Sequence, residues 1–426
     1  MGRKLKVAIA GLGSRGKDTY ARTAKLFPDK MEIVAVADID PEKVREAAEE
    51  YQVPKRTCFL SAEKMLEQEK LADAMVIATQ DRQHVEHAVR ALKKGYDLLL
   101  EKPVSPDLEE CRRLVRTAEE CGRKVVICHV LRYTPFYTTL KEIIDSGRVG
   151  EMVSVMALEN VGWWHHAHSF VRGNWRNSNL SSPMILQKCC HDMDILLWLT
   201  GKTCKSVSSF GDTYLFRKER MPKGAAERCL GGCAVKAECP FDAEKIYLNH
   251  KKYGVRCGNQ EWPLNVLTQH PTEESIMDAL LSGPYGRCVY ACDNNVVDHQ
   301  IVNLNMTDGS TISLTMCGFT KEIGRYTKFM GTKGEIVADM SENIIQITEF
   351  GKETEVIDVS KLGKDLSGHG GGDNRLVEDF LDMMIEGREP DMRTATLKAS
   401  MESHYCALAA EESRLKGGAV VELLSR

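Results

Sequence analysis

The feature that most constrains this chain lies near its start. Leu5–Ala10 reads as a short apolar strand and runs directly into Gly11-Leu12-Gly13-Ser14-Arg15-Gly16. In a strand–G-x-G-x-x-G–helix unit each glycine has a mechanical reason. The first permits the tight turn, the second lets the backbone approach a pyrophosphate, and the third allows close helix–strand packing. The helix N-terminus then faces the phosphate charge. Such a unit calls for an acid at the end of the next strand, and Asp38 lies there, 22 residues after Gly16. A carboxylate accepts hydrogen bonds from ribose hydroxyls and repels a 2′-phosphate, and Ile39 after it supplies no cation. The expected cofactor is NAD rather than NADP. A glycine turn needed only for packing is the alternative.

The surrounding pattern agrees. Glu32–Ala37, Ala74–Ala78, Asp97–Leu100 and Lys124–Cys128 read as further strands, separated by helical stretches at Pro41–Tyr51, Gln83–Lys94 and Asp107–Cys121. That alternation predicts βαβ units in a parallel sheet. Beyond residue 150 the texture changes. Met152–Glu159 alternates like a strand covered on one face, and several such strands follow between Val296 and Val359, with turns at Asp308-Gly309, Thr332-Lys333-Gly334 and Gly351. The expected fold is α/β plus α+β. A Rossmann domain over 1–130 precedes a domain over 131–426 built on a large, mainly antiparallel sheet. The second domain carries an apolar helix at Met184–Thr200, a cysteine-bearing insertion at about 217–266 with little hydrophobic content, and terminal helices within 373–416.

Further residues stand at the ends of the predicted strands. Thr79 and Gln80, with His84, follow the third, and Glu101-Lys102-Pro103 follows the fourth. A later helix carries His191 and Asp194. With the glycine turn, these motifs resemble the glucose–fructose oxidoreductase, inositol dehydrogenase and rhizopine-catabolism family (Gfo/Idh/MocA) over essentially the whole chain, the insertion being the least typical part. The resemblance implies an NAD-dependent oxidoreductase acting on a sugar, polyol or glycoside held between the two domains. It implies that Lys102 lies beside the nicotinamide and the reacting carbon. It also implies a homodimer or homotetramer, associating through the open sheet. Some relatives instead cleave glycosides by transient sugar oxidation and elimination, which stands as the alternative.

On their own chemistry the residues fit. Lys102 can polarise an oxygen or relay its proton, and His191 suits proton exchange near neutral pH. Gly11, Leu12, Gly13, Ser14, Arg15, Gly16, Asp38, Ile39, Thr79, Gln80, His84 and Glu101 are the expected cofactor contacts. Trp164, His168, Trp175, Arg176, Lys188 and Asp192 are the expected substrate contacts, because Trp faces stack on pyranose rings and the rest supply hydrogen bonds. The chain departs from inositol-dehydrogenase-like relatives at Gln187. They carry an Asp four residues before the histidine, and a neutral amide cannot take a proton. Lys188, Asp192 or another acid then takes that role, or His191 and Lys102 suffice.

Fifteen cysteines behind a start that does not read as a secretion signal fit a reducing cytoplasm. Cys229-x3-Cys233-x5-Cys239, with Cys288, offers four thiolates for a structural zinc; free thiols are the main alternative, and an iron–sulfur cluster ranks behind both. The net charge of −4 and the lack of a long apolar run argue against nucleic-acid or membrane partners.

Overall fold

The computed structural model describes residues 4–362 and 367–423. Six strands form the first sheet: β1 (Leu5–Ala10), β2 (Met31–Ala37), β3 (Cys58–Phe59), β4 (Ala74–Ile77), β5 (Asp97–Leu100) and β6 (Val125–Ile127). Their order is β3-β2-β1-β4-β5-β6, and all neighbours run parallel. Val7, Ala8, Ile9 and Ala10 are all buried, as a strand covered by helices on both faces requires. The chain order reverses between β1 and β4, which opens a crevice at the carboxyl ends of the strands. Gly11, Asp38, Thr79 and Lys102 all lie along that edge.

The second sheet has nine strands: β7 (Met152–Asn160), β8 (Cys204–Asp212), β9 (His299–Met306), β10 (Thr311–Cys317), β11 (Gly324–Gly331), β12 (Gly334–Asp339), β13 (Ile344–Glu349), β14 (Glu355–Asp358) and β15 (Val421–Glu422). Their order is β14-β13-β12-β11-β7-β10-β9-β8-β15. Only β7 and β10 pair in parallel; the other neighbours are antiparallel. Helices Pro135–Asp145, Cys190–Thr200 and Leu397–Leu415 contribute to the core beneath this sheet.

Three expectations need correction. The chain from Met184 to Thr200 is not one helix but two, Met184–Gln187 and Cys190–Thr200. The break falls where the Gln187 carbonyl accepts a hydrogen bond from Lys102 Nζ, at 3.0 Å, instead of an amide of the next turn. The insertion occupies the whole span between β8 and β9, and it has an apolar core of its own. Ile246, Tyr247, Leu264, Ile276 and Leu280 pack there around Trp164. Its helix Glu273–Ser282, capped by Thr272, was not foreseen. Finally, the helix Gly372–Glu386 returns to the first domain, where Leu376, Val377 and Phe380 pack with residues of β1 and β2.

Candidate active site

The glycine turn is held from two sides. Leu12 N–H donates to Asp38 Oδ2 at 2.6 Å, and Asp40 N–H donates to Asp38 Oδ1 at 2.9 Å. Gly11 has φ +91°, and a Cβ there would meet the Ala78 carbonyl oxygen at 2.4 Å. A Cβ on Gly16 would strike the Gly11 oxygen at 1.8 Å. Gly13 is different: its φ is −70°, and a Cβ there would meet no atom of the chain within 4 Å. Neither backbone conformation nor internal packing demands glycine at Gly13. Open space above bare backbone is what a pyrophosphate needs, so these residues fit NAD.

Arg15 ties this turn to the rest of the crevice. Its guanidinium donates to Glu101 Oε1 at 2.6 Å, to Tyr20 Oη at 2.6 Å and to Asp373 Oδ1 at 2.8 Å. Against its burial, Tyr20 and the two carboxylates hold its pKa above the usual guanidinium range. Asp373 also contacts His369 Nδ1 at 2.9 Å, and its carboxyl stays below the usual range because Arg15 and His369 counter its burial. Glu101 accepts from the Lys102 amide at 2.9 Å. The side chains of Arg15 and Glu101 therefore shape the crevice rather than point freely into it.

Lys102 sits after β5 in a turn braced on both sides. His84 spans the Pro103 carbonyl at 2.8 Å and the Thr79 carbonyl at 3.0 Å. His404 Nε2 accepts from the Val104 amide at 2.9 Å. Thr79 Oγ1 contacts His87 Nδ1 at 3.1 Å, whereas Gln80, Ser14 and Ile39 are exposed.

His191 is buried, and its Nδ1 has no partner. Burial, reinforced by the Lys102 charge and by His129, pushes its pKa well below the usual histidine value, so the imidazole is neutral near pH 7. Asp194 does not pair with it. Arg132 grips both Asp194 oxygens, at 2.8 and 2.6 Å.

The proton acceptor in place of the missing Asp now has a candidate. The side chain of Gln187 is engaged: with its oxygen facing Trp175 Nε1, its amide nitrogen reaches Asp81 Oδ2 at 3.3 Å. Asp192 is clamped by Arg325 at 2.8 and 3.3 Å. Glu159, wholly buried at the end of β7, lies 3.2 Å from Lys188 Nζ and 3.0 Å from Arg325. Burial pushes the Glu159 carboxyl up to about 7 against the pull of Arg325 and Lys188. Sequence reasoning missed Glu159 and Arg325. A signal was present, because Glu159 stands in register with the buried Val155 and Ala157 of an alternating strand, where a charge is out of place.

Other expected residues lie elsewhere. Trp164 is 4% exposed and stacks with Tyr253 at 4.3 Å inside the insertion core. His168 is 1% exposed, bonded to Tyr247 Oη at 2.9 Å and stacked on Tyr285. Both are packing residues, with no free face for a sugar. Arg176 is fixed by Asp293 at 2.7 and 3.0 Å, which leaves its fork occupied. The zinc expectation is not supported as stated. Among the described residues, the one set of three or more His, Cys, Asp or Glu side chains with ligand atoms within 4.8 Å of one another is Glu42, Glu46 and His270. The cysteine sulfurs stand wider apart than one tetrahedral zinc allows, about 3.8 Å for Zn–S bonds of about 2.3 Å. No described helix is long and apolar enough to cross a membrane.

Comparison with known proteins agrees with this architecture. Residues 5–129 match the model of an oxidoreductase family with an NAD-binding Rossmann fold, and residues 141–423 match the C-terminal alpha/beta domain of the same family. YteT of Bacillus subtilis (strain 168) is 22% identical over 424 residues, covering 95% of this chain and 94% of that protein. The inositol 2-dehydrogenase of Corynebacterium glutamicum (strain R) is 27% identical over 208 residues; the match spans 49% of this chain and 57% of the enzyme. Among solved structures, the WlbA dehydrogenase from Bordetella pertussis in complex with NADH and UDP-GlcNAcA superposes with a TM-score of 0.69 at 16% identity, over 99% of this chain and 98% of that one. With both of its domains matched in sequence, the chain belongs to this family of oxidoreductases with an NAD-binding Rossmann fold.

Proposed function

We propose that the chain is an NAD-dependent dehydrogenase acting on a hydroxyl or keto carbon of a sugar, polyol or glycoside. One observation carries the reading: a braced lysine, Lys102, and a buried neutral histidine, His191, converge at the carboxyl edge of the parallel sheet. NAD, when bound, supplies the hydride acceptor or donor. Gly11, Gly13, Gly16 and Asp38 would hold it, and Asp38 disfavours a 2′-phosphate. Lys102 Nζ, leaving the Gln187 carbonyl, would donate to the substrate oxygen and stabilise charge that develops there. His191, held neutral, passes the hydroxyl proton on or returns it rather than keeping it. Glu159, through Lys188, is the acid that stands in for the one missing at Gln187.

The names of the relatives support a polyol or sugar-nucleotide class without selecting the compound. Gln187 argues against simple equivalence with the inositol enzymes. Fifteen unpaired thiols fit a reducing cytoplasm, and the open sheet fits a homodimer or homotetramer.

The test is NADH formation or consumption across a panel of polyols, sugars and sugar nucleotides. Turnover with at least one class, with NAD preferred over NADP, is expected. Bound NAD without turnover would refute the reading, and glycoside cleavage without net NADH would replace it with redox-assisted elimination. Lys102→Ala should lower kcat by about 100-fold or more, within the usual range for a positioned acid–base group, while NAD affinity measured by calorimetry stays nearly unchanged.

A further inference from the structure

A second imidazole stands beside His191. The ring of His369 lies 6.2 Å from that of His191, centroid to centroid. It belongs to His369-Gly370-Gly371-Gly372-Asp373, the turn that leads into the helix Gly372–Glu386. The backbone fixes this turn. Gly370 (φ +64°) and Gly371 (φ +80°) take the left-handed conformation that side chains disfavour. A Cβ on Gly372 would meet the Val130 carbonyl oxygen at 2.2 Å, so the turn is pressed against the chain just after β6. Arg15 Nη1 lies 3.5 Å from His369 Nδ1. His369 thus sits between the glycine turn and His191, with its side chain half exposed.

Asp373 orients this imidazole. The N-cap of the helix is Gly371, so Asp373 is not the capping residue. Its carboxylate is spent on two side chains instead. Oδ1 accepts from Arg15 at 2.8 Å, and Oδ2 pairs with His369 Nδ1 at 2.9 Å. A carboxylate only accepts, so Nδ1 carries the proton and the neutral ring keeps Nε2 as its acceptor. The two imidazoles therefore differ in setting. His191 is buried and has no carboxylate partner, whereas His369 is half exposed and held by one.

The spacing of the rings limits what they can serve together. A ring nitrogen reaches a hydroxyl oxygen within about 3 Å. Two imidazoles this close suit oxygens on neighbouring carbons better than oxygens at opposite ends of a sugar. We propose that His369, oriented by Asp373, accepts a hydrogen bond from a second substrate hydroxyl, on a carbon adjacent to the reacting one. The substrate class is then a sugar or polyol with a vicinal diol, and analogues deoxy at that carbon are poor substrates. This rests on the dehydrogenase reading and adds a specificity residue to it. The ribose diols of NAD offer the same chemistry, so the test has two arms.

The first arm compares wild type, His369→Phe and His369→Gln by kcat/KM on a sugar that is turned over and on its analogues deoxy at each adjacent carbon and at a remote one. The second arm measures NAD affinity by calorimetry. Wild type should prefer the parent sugar over one adjacent-deoxy analogue by about 10-fold or more, the worth of one lost hydrogen bond. His369→Phe keeps the ring but not the nitrogen. It should lower kcat/KM on the parent by a similar factor and leave the deoxy analogue unchanged, so that the preference disappears. His369→Gln retains an acceptor and should recover part of it. NAD affinity should be nearly unchanged in both variants. A preference that survives in His369→Phe would overturn the proposal. So would a loss of NAD affinity with the preference intact, which would place the imidazole on the cofactor ribose. Absence of turnover in wild type is a different failure: it would sink the dehydrogenase reading and this proposal with it.

Discussion

At the scale of single residues, two positions separate ligand binding from folding. Gly13 faces open space, so a side chain there costs the fold nothing but fills the room reserved for the pyrophosphate. Gly13→Val is expected to leave the melting temperature nearly unchanged and to weaken NAD binding by about 10-fold or more, ~1.4 kcal/mol; parallel calorimetry and thermal melts would check it. A melting temperature lowered as much as the affinity would show that Gly13 is a packing residue after all. The other position is Glu159. If its carboxyl, held at about 7, is the ultimate proton acceptor, oxidation should rise as pH climbs through that value and the carboxyl ionises. Glu159→Gln keeps the shape and removes the titration. Its expected signature is a lower kcat with the rising limb of the pH profile flattened or displaced, and KM little changed. A uniform loss at every pH would mean that Glu159 only balances Lys188 and Arg325.

At the scale of elements, much was legible because the signals are local. Leu5–Ala10 and Asp97–Leu100 have the bounds that their apolar runs suggested, and G-x-G-x-x-G lies between strand and helix. What was not legible depends on long-range contacts. The break after Gln187 comes from Lys102, 85 residues earlier. Trp163-Trp164-His165-His166-Ala167-His168 looked like a sugar platform, but aromatics and imidazoles serve equally as core once an insertion folds over them, as Tyr253, Tyr247 and Tyr285 do here. The burial of histidines, in this run and outside it, has a measurable consequence. Burial lowers the pKa of His129 and His168 to about 3 and of His166 and His404 to about 4. In the unfolded chain they titrate near ~6.5. Between those values the unfolded state binds more protons, so stability rises with pH there. Lowering the pH from about 6.5 should reduce the stability progressively, by about 1.4 kcal/mol per histidine for each pH unit until its folded value is reached, and the melting temperature with it. Melts recorded from pH 7 to pH 4 would show it, and a flat profile would mean that these rings are hydrated rather than buried.

At the scale of the molecule, the insertion and the terminal helices knit the two domains together around the crevice. Gln269 donates to Asp40 Oδ2 at 2.9 Å and Asn265 to Asp18 Oδ2 at 3.3 Å, so the insertion reaches the cofactor domain beside the glycine-turn helix. The helix Gly372–Glu386 does the same from the other end of the chain, through Asp373 and Arg15. The outer face of the nine-stranded sheet, in contrast, carries exposed apolar side chains that no described residue covers. Phe210 stands opposite Ile301, which stands opposite Thr315, which stands opposite Leu158, so one row crosses β8, β9, β10 and β7 on a single face. Phe210 is 58% exposed and Ile301 44%. Met156, two residues from Leu158 along β7, shares that face and is also exposed. An apolar row in the middle of a broad sheet is the form a self-complementary interface takes. In a two-fold dimer Ile301→Asp would place a carboxylate on each partner in this row. Bringing like charges together at an interface costs several kcal/mol, which is enough to dissociate a moderately tight dimer. The expected result is a monomer by sedimentation or light scattering, with NAD binding retained because the crevice lies in the other sheet. An assembly that ignores Ile301→Asp would place the contact on a different surface.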